Sequence, residues 1–471
     1  MNLKNLKNKN ILILGFGQEG KDSYLALRKL FPEKVLGIAD KLNFKDFSKK
    51  VQKTLKSDKK LKLHFGENYL KYLKNYNLII KTPGIPQEIA KPFLAHSTGS
   101  GQAKTKITSQ TEIFLENCQG VIIGVTGTKG KGTTVSLIYK ILKTGGLKVK
   151  LVGNIGKPVF QTLLKSKKND IFVYEMSSHQ LENLKKSPQI VVFLNLYPAH
   201  LDYYKNFAQY KKAKENILRY QTEKDFFIYN SDQKELREIA KLSKAKKIPI
   251  TATKYEFITN IRKNLPGLFN IFNIASAVAV AELFNVPKNK IIEAIKEFKP
   301  LPHRLEFVGK YRGIEFYNDS LATVPQASEA ALEALKDRVK TLIFGGMSVK
   351  GFKFSQVAKK ILKSKIKNLI LFPDTGEAVF REISKLKNKG KNLPKVFFVS
   401  RQDKESSLGG AASMREALKI AFRETKKGIC LLSPGSPSFN LFRDYKERGN
   451  MFKKFVKSFA REDKPKAKPE H

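Results

Sequence analysis

Val121-Ile-Ile-Gly-Val-Thr-Gly-Thr-Lys-Gly-Lys-Gly-Thr-Thr-Val-Ser-Leu-Ile-Tyr-Lys-Ile-Leu142 passes from an apolar run through a glycine-rich loop into a helical pattern, with Val135, Ile138, Ile141 and Leu142 on one face. A buried strand, then glycines and lysine, then a helix is the context in which free N–H groups and the helix dipole favour an anion. The stretch departs from the strict GxxxxGK[ST] spacing: five residues separate Gly124 from Gly130, and Gly132 follows Lys131 where Ser or Thr usually stands. A plain glycine-rich turn before a helix is one reading. Gly127, Gly130, Lys131 and Gly132 together favour the other, a nucleotide phosphate held by Gly127, Thr128, Lys129, Gly130, Lys131 and Gly132. Thr133 or Thr134 then has to supply the hydroxyl for magnesium.

The same strand-then-helix rhythm runs outward from this loop in both directions. Toward the N-terminus, strands are expected at 11–14, 35–38 and 78–80, with a helix through 24–30. Toward the C-terminus they are expected at 171–174, 190–196, 226–229, 341–344, 369–372, 396–399 and 429–432. At 471 residues the chain exceeds one core, and a prior of about 150 residues per domain gives roughly three. The polar, glycine-rich stretch 96–106 reads as a linker, and Lys299-Pro-Leu-Pro302 as a second break. The expected organisation is α/β throughout, each unit with a parallel sheet: an N-terminal Rossmann-like domain over 1–105, a central phosphate-loop ATPase domain over 106–300, a C-terminal Rossmann-like domain over 301–462, and a disordered tail over 463–471.

Hydrophobic residues at 41% and charged residues at 28% are ordinary for globular chains. No apolar run approaches the roughly 18 residues of a membrane span, and Ile11 to Leu14 is too short for a signal peptide. Cys118 and Cys430 lack CxxC partners and zinc spacing, which suits a reducing cytoplasm. The formal charge of +47 admits nucleic acid, anionic lipid or anionic substrates as partners. Its lysines are spread from Lys4 to Lys468 in no single block, without the aromatic interleaving that reads single strands. Solvated lysine faces are therefore expected, with no nucleic-acid partner.

Two further stretches carry chemistry. Glu175-Met-Ser-Ser-His-Gln-Leu-Glu182 follows the strand 171–174, which puts Glu175 at the carboxyl end of a sheet, where parallel sheets bind ligands. Alone, Glu175 would be a solvated strand end. Beside a phosphate loop it reads as a hard oxygen ligand for Mg²⁺. Asn195-Leu-Tyr-Pro-Ala-His-Leu-Asp202 puts His200 on the same rim, where by itself it reads as a satisfied loop histidine.

In their order along the chain these pieces resemble the Mur ligase family, the ATP-dependent amide ligases of peptidoglycan stem-peptide synthesis, which include the folylpolyglutamate synthases. The resemblance is carried by Thr126-Gly-Thr-Lys-Gly-Lys131, Gly153-Asn-Ile-Gly156, Glu175-Met-Ser-Ser-His-Gln-Leu181, Tyr197-Pro-Ala-His200, Gly267-Leu-Phe-Asn270, Pro302-His-Arg304, Asn318-Asp-Ser320 and Leu432-Ser-Pro-Gly435. It covers essentially the whole chain, and the folate branch of the family has the same glycine after the lysine. Gly15-Phe-Gly-Gln-Glu-Gly20 with Asp40 about twenty residues on could by itself mean NAD. With Thr82-Pro-Gly-Ile85 and Ser436-Pro-Ser-Phe-Asn-Leu-Phe-Arg-Asp-Tyr-Lys-Glu-Arg-Gly449 it resembles the branch that adds glutamate to UDP-N-acetylmuramoyl-L-alanine. D-Glutamate is favoured; L-glutamate and a folylpolyglutamate-type reaction are the alternatives.

The resemblance implies an acyl phosphate made with ATP as co-substrate. It implies a UDP-precursor site at Gly15, Gly17, Gln18, Glu19, Gly20, Asp40, Thr82, Gly84 and Asn154. It implies Lys131 on the β/γ-phosphates, one Mg²⁺ on Glu175 and a loop threonine, and a second near His200 and Lys214. Lys214 matches the family's carbamylated lysine. Asn270 and Asn273 match the adenine side, with Phe269 in place of the usual His, and Arg304 and Asp319 match ribose and phosphate contacts made on domain closure. A monomer is expected. The acceptor site departs from the family: Leu321 stands where a lysine is usual, and Gly345-Gly-Met-Ser-Val-Lys350 is one residue longer than the usual loop and lacks its aspartate. Thr323, Lys350, Ser438 and Phe439 remain as glutamate-binding candidates.

Overall fold

The computed structural model describes residues 3–93, 105–200, 203–261, 265, 267–349, 351–386, 393–400 and 409–461. Most of the stretch 96–106, Lys350 and the tail 463–471 lie outside these. The chain divides into two compact units, residues 1–261 with 269–298 and residues 262–268 with 299–471.

The first unit holds two parallel sheets. One is five-stranded with order β3-β2-β1-β4-β5, from β1 (Ile11–Leu14), β2 (Leu36–Asp40), β3 (Leu61–Phe65), β4 (Leu78–Lys81) and β5 (Lys106–Ser109). Its central strand β1 is wholly buried, as its unbroken Ile-Leu-Ile-Leu requires of a parallel strand covered on both faces. Because β5 pairs with β4, this sheet extends past the boundary expected at residue 105; one apolar residue in Lys106-Ile-Thr-Ser109 gives too little pattern to show it. The second sheet is six-stranded with order β11-β10-β9-β6-β8-β7, from β6 (Val121–Thr126), β7 (Val149–Gly153), β8 (Ile171–Glu175), β9 (Ile190–Phe193), β10 (Phe226–Asn230) and β11 (Lys246–Ile250). The helix Lys131–Thr144 buries Val135, Leu137, Ile138, Ile141 and Leu142. That is a wider apolar face than the four residues read from the sequence.

The second unit carries a six-stranded sheet of order β12-β13-β17-β14-β15-β16, from β12 (Glu306–Tyr311), β13 (Ile314–Asn318), β14 (Val339–Gly346), β15 (Asn368–Asp374), β16 (Lys395–Phe398) and β17 (Gly428–Leu432). The expectation of a parallel sheet in every unit is corrected here, because β12 and β13 form an antiparallel hairpin at its edge. A parallel return needs a crossover of a dozen or more residues, and only Arg312 and Gly313, both at positive φ, join these strands.

Candidate active site

The loop after β6 lies at the carboxyl end of its sheet and leads into the helix Lys131–Thr144. Gly130 caps that helix at φ +87°, and a Cβ there would stand 2.3 Å from Asn273 Oδ1. Only glycine suits both the conformation and the approach. Asn273 also accepts from the Thr134 hydroxyl (3.2 Å) and donates to Asn270 Oδ1 (2.9 Å). The two asparagines expected on the adenine side thus form a buried pair, with Asn273 against the loop's end. Phe269 beside them is 38% exposed.

Two lysines meet at the start of the loop. Lys131 Nζ donates to the carbonyls of Gly127 (2.9 Å) and Thr128 (3.3 Å), and Lys214 Nζ donates to the Gly127 carbonyl (3.0 Å) and Thr126 Oγ1 (3.2 Å). Lys214 is 1% exposed on the helix Phe207–Glu215. Burial first, then the neighbouring Lys131 charge, push its pKa well below the usual lysine range, and Glu175 acts in the opposite sense. Glu175 is the last residue of β8 rather than the first after it, buried, and in register with Val125. Thr133 is buried at the first turn of the helix beyond the loop.

His200 is exposed at φ +56°, its ring 5.0 Å from that of His179 and 5.9 Å from that of Tyr210. A hydroxyl and a carboxylate are hard oxygen donors of the kind magnesium takes, with phosphate and water completing its shell. Among the described residues no cluster of three or more His, Cys, Asp or Glu forms a self-sufficient metal cage.

Asn195 was passed over in the sequence and is the loop's main clamp. Its side chain accepts from Lys129 N (2.8 Å) and donates to Lys129 O (3.0 Å), while its carbonyl accepts from Thr128 N (3.0 Å). Tyr210, also missed, meets the Thr128 hydroxyl at 3.0 Å. Both act on main chain or hydroxyl groups, contacts with no spacing signature; the only signal was that Asn195 opens the stretch Asn195–Asp202 and that Tyr210 stands four residues before Lys214.

In the N-terminal sheet, strand order reverses between β1 and β4, so a crevice is due at their carboxyl ends. Gly15 and Thr82 meet there. A Cβ on Gly15 (φ +91°) would lie 2.0 Å from Thr82 Oγ1, and that hydroxyl donates to Leu14 O at 3.0 Å. The Asp40 carboxylate accepts from Phe16 N (2.6 Å) and Leu42 N (2.9 Å), holding the glycine loop to the end of β2. Gly20 packs against the Gly15 carbonyl, whereas a Cβ on Gly17 or Gly84 would meet nothing within 4 Å. Gln18 is exposed. Glu19 accepts from Gln180 Nε2 (2.6 Å), and burial lifts its pKa to about 7. Asn154 is exposed just past β7.

In the second unit, Asp319 is buried and accepts from Ser433 Oγ (2.8 Å) and Leu305 N (3.1 Å). Burial raises its pKa to about 7 against the pull of those bonds and of the Arg304 and Arg448 charges. Arg304 and Thr323 are half-buried, Ser438 is buried and Phe439 is 66% exposed. His303, which the sequence reading left without a role, lies at φ +66° with Nδ1 3.0 Å from Asn318 Nδ2.

The Mur ligase middle domain matches residues 125–281, and the Mur ligase glutamate ligase domain matches residues 303–436. The UDP-N-acetylmuramoylalanine–D-glutamate ligase of Acetivibrio thermocellus is 33% identical, over 97% of this chain and 97% of its own. The Clostridium tetani protein of the same name is 32% identical, over 97% and 98%. Two solved structures share the fold at 16% identity, each over 96% of this chain and 100% of its own: a type C pseudomurein peptide ligase from Methanothermus fervidus (TM-score 0.56) and the UDP-N-acetylmuramate–alanine ligase from Thermotoga maritima (0.58). With relatives above 30% identity along nearly its whole length, and two family domains in their expected order, the chain belongs to the Mur ligase family.

Proposed function

We propose that this protein joins D-glutamate to UDP-N-acetylmuramoyl-L-alanine at the expense of ATP. The observation that carries the reading is the convergence of Lys131, Lys214 and Glu175 beneath a glycine loop, on a chain aligned end to end with D-glutamate ligases. Such ligases work on a UDP-linked precursor in the cytoplasm. Among the described residues no helix is long and apolar enough to cross a membrane.

In the first step the precursor carboxylate bonds to the γ-phosphorus of ATP and the β–γ bridge breaks, leaving an acyl phosphate and ADP. In the second the glutamate amine attacks the acyl carbon, loses a proton, and phosphate departs. Both steps gather negative charge, so fixed cations are needed. Lys131 turns from the loop carbonyls to the transferring phosphate. Magnesium, held by Glu175 and a loop hydroxyl, would neutralise phosphate charge when bound. Thr133 is the better candidate for that hydroxyl, since Thr134 is engaged with Asn273.

Lys214 has features that favour carbamylation: burial pushes its amine toward the uncharged form that attacks CO₂, and the Lys131 charge beside it would pair with the resulting N-carboxylate. His200 stands on the same rim as its partner for a second ion. Gly15, Gly17, Gln18, Glu19, Gly20, Asp40, Thr82, Gly84 and Asn154 form the precursor side, with Gly17 leaving room for a ligand to approach the backbone. Thr323, Lys350, Ser438 and Phe439 are the candidate glutamate contacts, Lys350 lying outside the described residues. The test is phosphate release with UDP-N-acetylmuramoyl-L-alanine, ATP and each glutamate enantiomer. Turnover with D-glutamate alone supports the reading; equal or greater turnover with L-glutamate, or none with either, overturns it.

A further inference from the structure

Arg448, on the helix Tyr445–Arg461, is fully enclosed at 0% exposure. Its Nε donates to Ser320 Oγ (3.0 Å), and its Nη2 donates to the carbonyls of Ser320 (2.8 Å) and Ser436 (3.0 Å). The third nitrogen, Nη1, is buried without a hydrogen-bond partner among the described residues and faces Gly346, where an added Cβ would stand 3.2 Å from it. Asp319 supplies the negative charge that favours its cation, yet burial still lowers its pKa to about 9. A guanidinium so enclosed, with no carboxylate in its hydrogen-bond set, is costly to keep for stability alone.

Its three contacts fall at the carboxyl ends of three adjacent strands. Ser320 follows β13, Ser436 follows β17, and Gly346 ends β14, in the order β13-β17-β14. Those ends form the rim where such sheets bind ligands. Gly346 and the 436–438 segment are themselves locked together: Met347 N donates to Pro437 O (2.9 Å), and Thr375 Oγ1 bonds both Gly346 O (3.0 Å) and Ser436 Oγ (2.6 Å). The segments after β13 and β17 carry Thr323 and Ser438.

We propose that Arg448 is a positioning residue for the amino-acid acceptor site. Its planar fork sets the spacing of the three rim segments, and its unsatisfied Nη1 directs positive charge toward Gly346, on the side where an acceptor carboxylate is received. This rests on the glutamate-ligase reading above.

The test uses the full chain with UDP-N-acetylmuramoyl-L-alanine, ATP and glutamate in a phosphate-release assay. Arg448→Lys keeps the charge and loses the fork. It should raise the glutamate KM about 10-fold or more and leave the ATP and precursor KM within about 2-fold. Ser320→Ala removes only the Nε acceptor and the hydroxyl's bond to Tyr445 O (2.8 Å). It should move the glutamate KM in the same direction by a smaller factor, and it decides the matter alone if Arg448→Lys does not fold. Equal changes in all three KM values, or a lowered melting temperature with every KM unchanged, would overturn the proposal. Should the wild-type protein turn over with a different amino acid, the function reading fails separately, and the KM of that amino acid becomes the readout for Arg448.

Discussion

The amines of Lys131 and Lys214 both meet Gly127 O, and burial first, then the Lys131 charge, push the pKa of Lys214 down. Carbamylation consumes a neutral amine and CO₂ and releases a proton, so this pairing prepares Lys214 for it. Lys214→Ala should abolish turnover, and added short carboxylates such as acetate or formate should restore part of it by standing in for the N-carboxylate. Full activity of the alanine variant without additives would remove Lys214 from the site. Lys131 has a different task, as a point charge on the transferring phosphate. Lys131→Ala should lower kcat at least about 100-fold while the melting temperature stays near that of the wild type. Near-normal phosphate release by that variant would mean that the loop does not hold the nucleotide as described. Asp319 makes a prediction in pH. An acid with a higher pKa folded than unfolded binds its proton more tightly when folded, so its contribution is full below about pH 4 and is lost as pH rises through about 7. Asp319→Asn removes that loss. The melting temperature of the variant relative to wild type should therefore be higher at pH 8 than at pH 5. A constant difference across that range would show that Asp319 is ionised throughout.

Between elements, the helix Gln18–Leu30 reaches the helix Val159–Leu163 through one carboxylate. Pro158 caps the second helix without a side-chain bond, and Asp22 supplies what it lacks: it accepts from Phe160 N (2.8 Å), Gln161 N (3.3 Å), Gln161 Nε2 (2.9 Å) and Gln110 Nε2 (2.7 Å). Asp22→Ala would strand two buried donors, Phe160 N and Gln110 Nε2, and two part-buried ones on Gln161, so it should cost about 2–4 kcal/mol in urea unfolding, with Asp22→Asn between it and wild type. A loss below about 0.5 kcal/mol would mean that water replaces the carboxylate. None of this was legible in Gly20-Lys-Asp-Ser23, because a carboxylate bonded to distant main chain leaves no local pattern. The strands divide on the same principle. The buried interior strands β1, β6, β8, β9, β14, β15 and β17 announced themselves as apolar runs. Those missed were chiefly edges: β3 with Leu-Lys-Leu-His-Phe, β5, β7, β11 with Lys-Lys-Ile-Pro-Ile, and β12. An edge strand is half-solvated and takes lysines that discourage pairing with other chains, which erases the apolar run. β13 escaped for another reason, since its residues alternate between buried and half-buried. In the candidate site, lysine, glycine and acid positions were legible because their chemistry demands those residue types. Asn195, Tyr210, Asp22 and Arg448 were not, because their partners are backbone groups or distant side chains.

Over the whole molecule, the net charge of +47 sets a long-range field that no single contact reveals. The chain has 89 Lys and Arg against 42 Asp and Glu, and many acids are already tied into surface pairs such as Lys140–Glu297 and Arg338–Glu315. Two opposing consequences follow. Like charges repel within the compact state, so screening should stabilise the fold. The proposed substrates, a UDP-linked precursor, ATP and glutamate, are all anions, so the same field draws them in, and screening should slow their capture. The Debye length falls from about 10 Å at 0.1 M salt to about 3 Å at 1 M, short enough to quench steering while leaving buried contacts such as those of Lys214 largely intact. Raising NaCl from about 0.05 M to about 0.5 M should therefore raise the melting temperature, lower kcat/KM for the UDP precursor and for ATP several-fold, and change kcat little. Glutamate, with the smallest net charge, should show the weakest dependence. A kcat/KM for the precursor that is flat across this range, with a melting temperature that falls, would mean that the lysines are arranged so that their fields cancel at the substrate rims. The charge would then be a property of the surface alone.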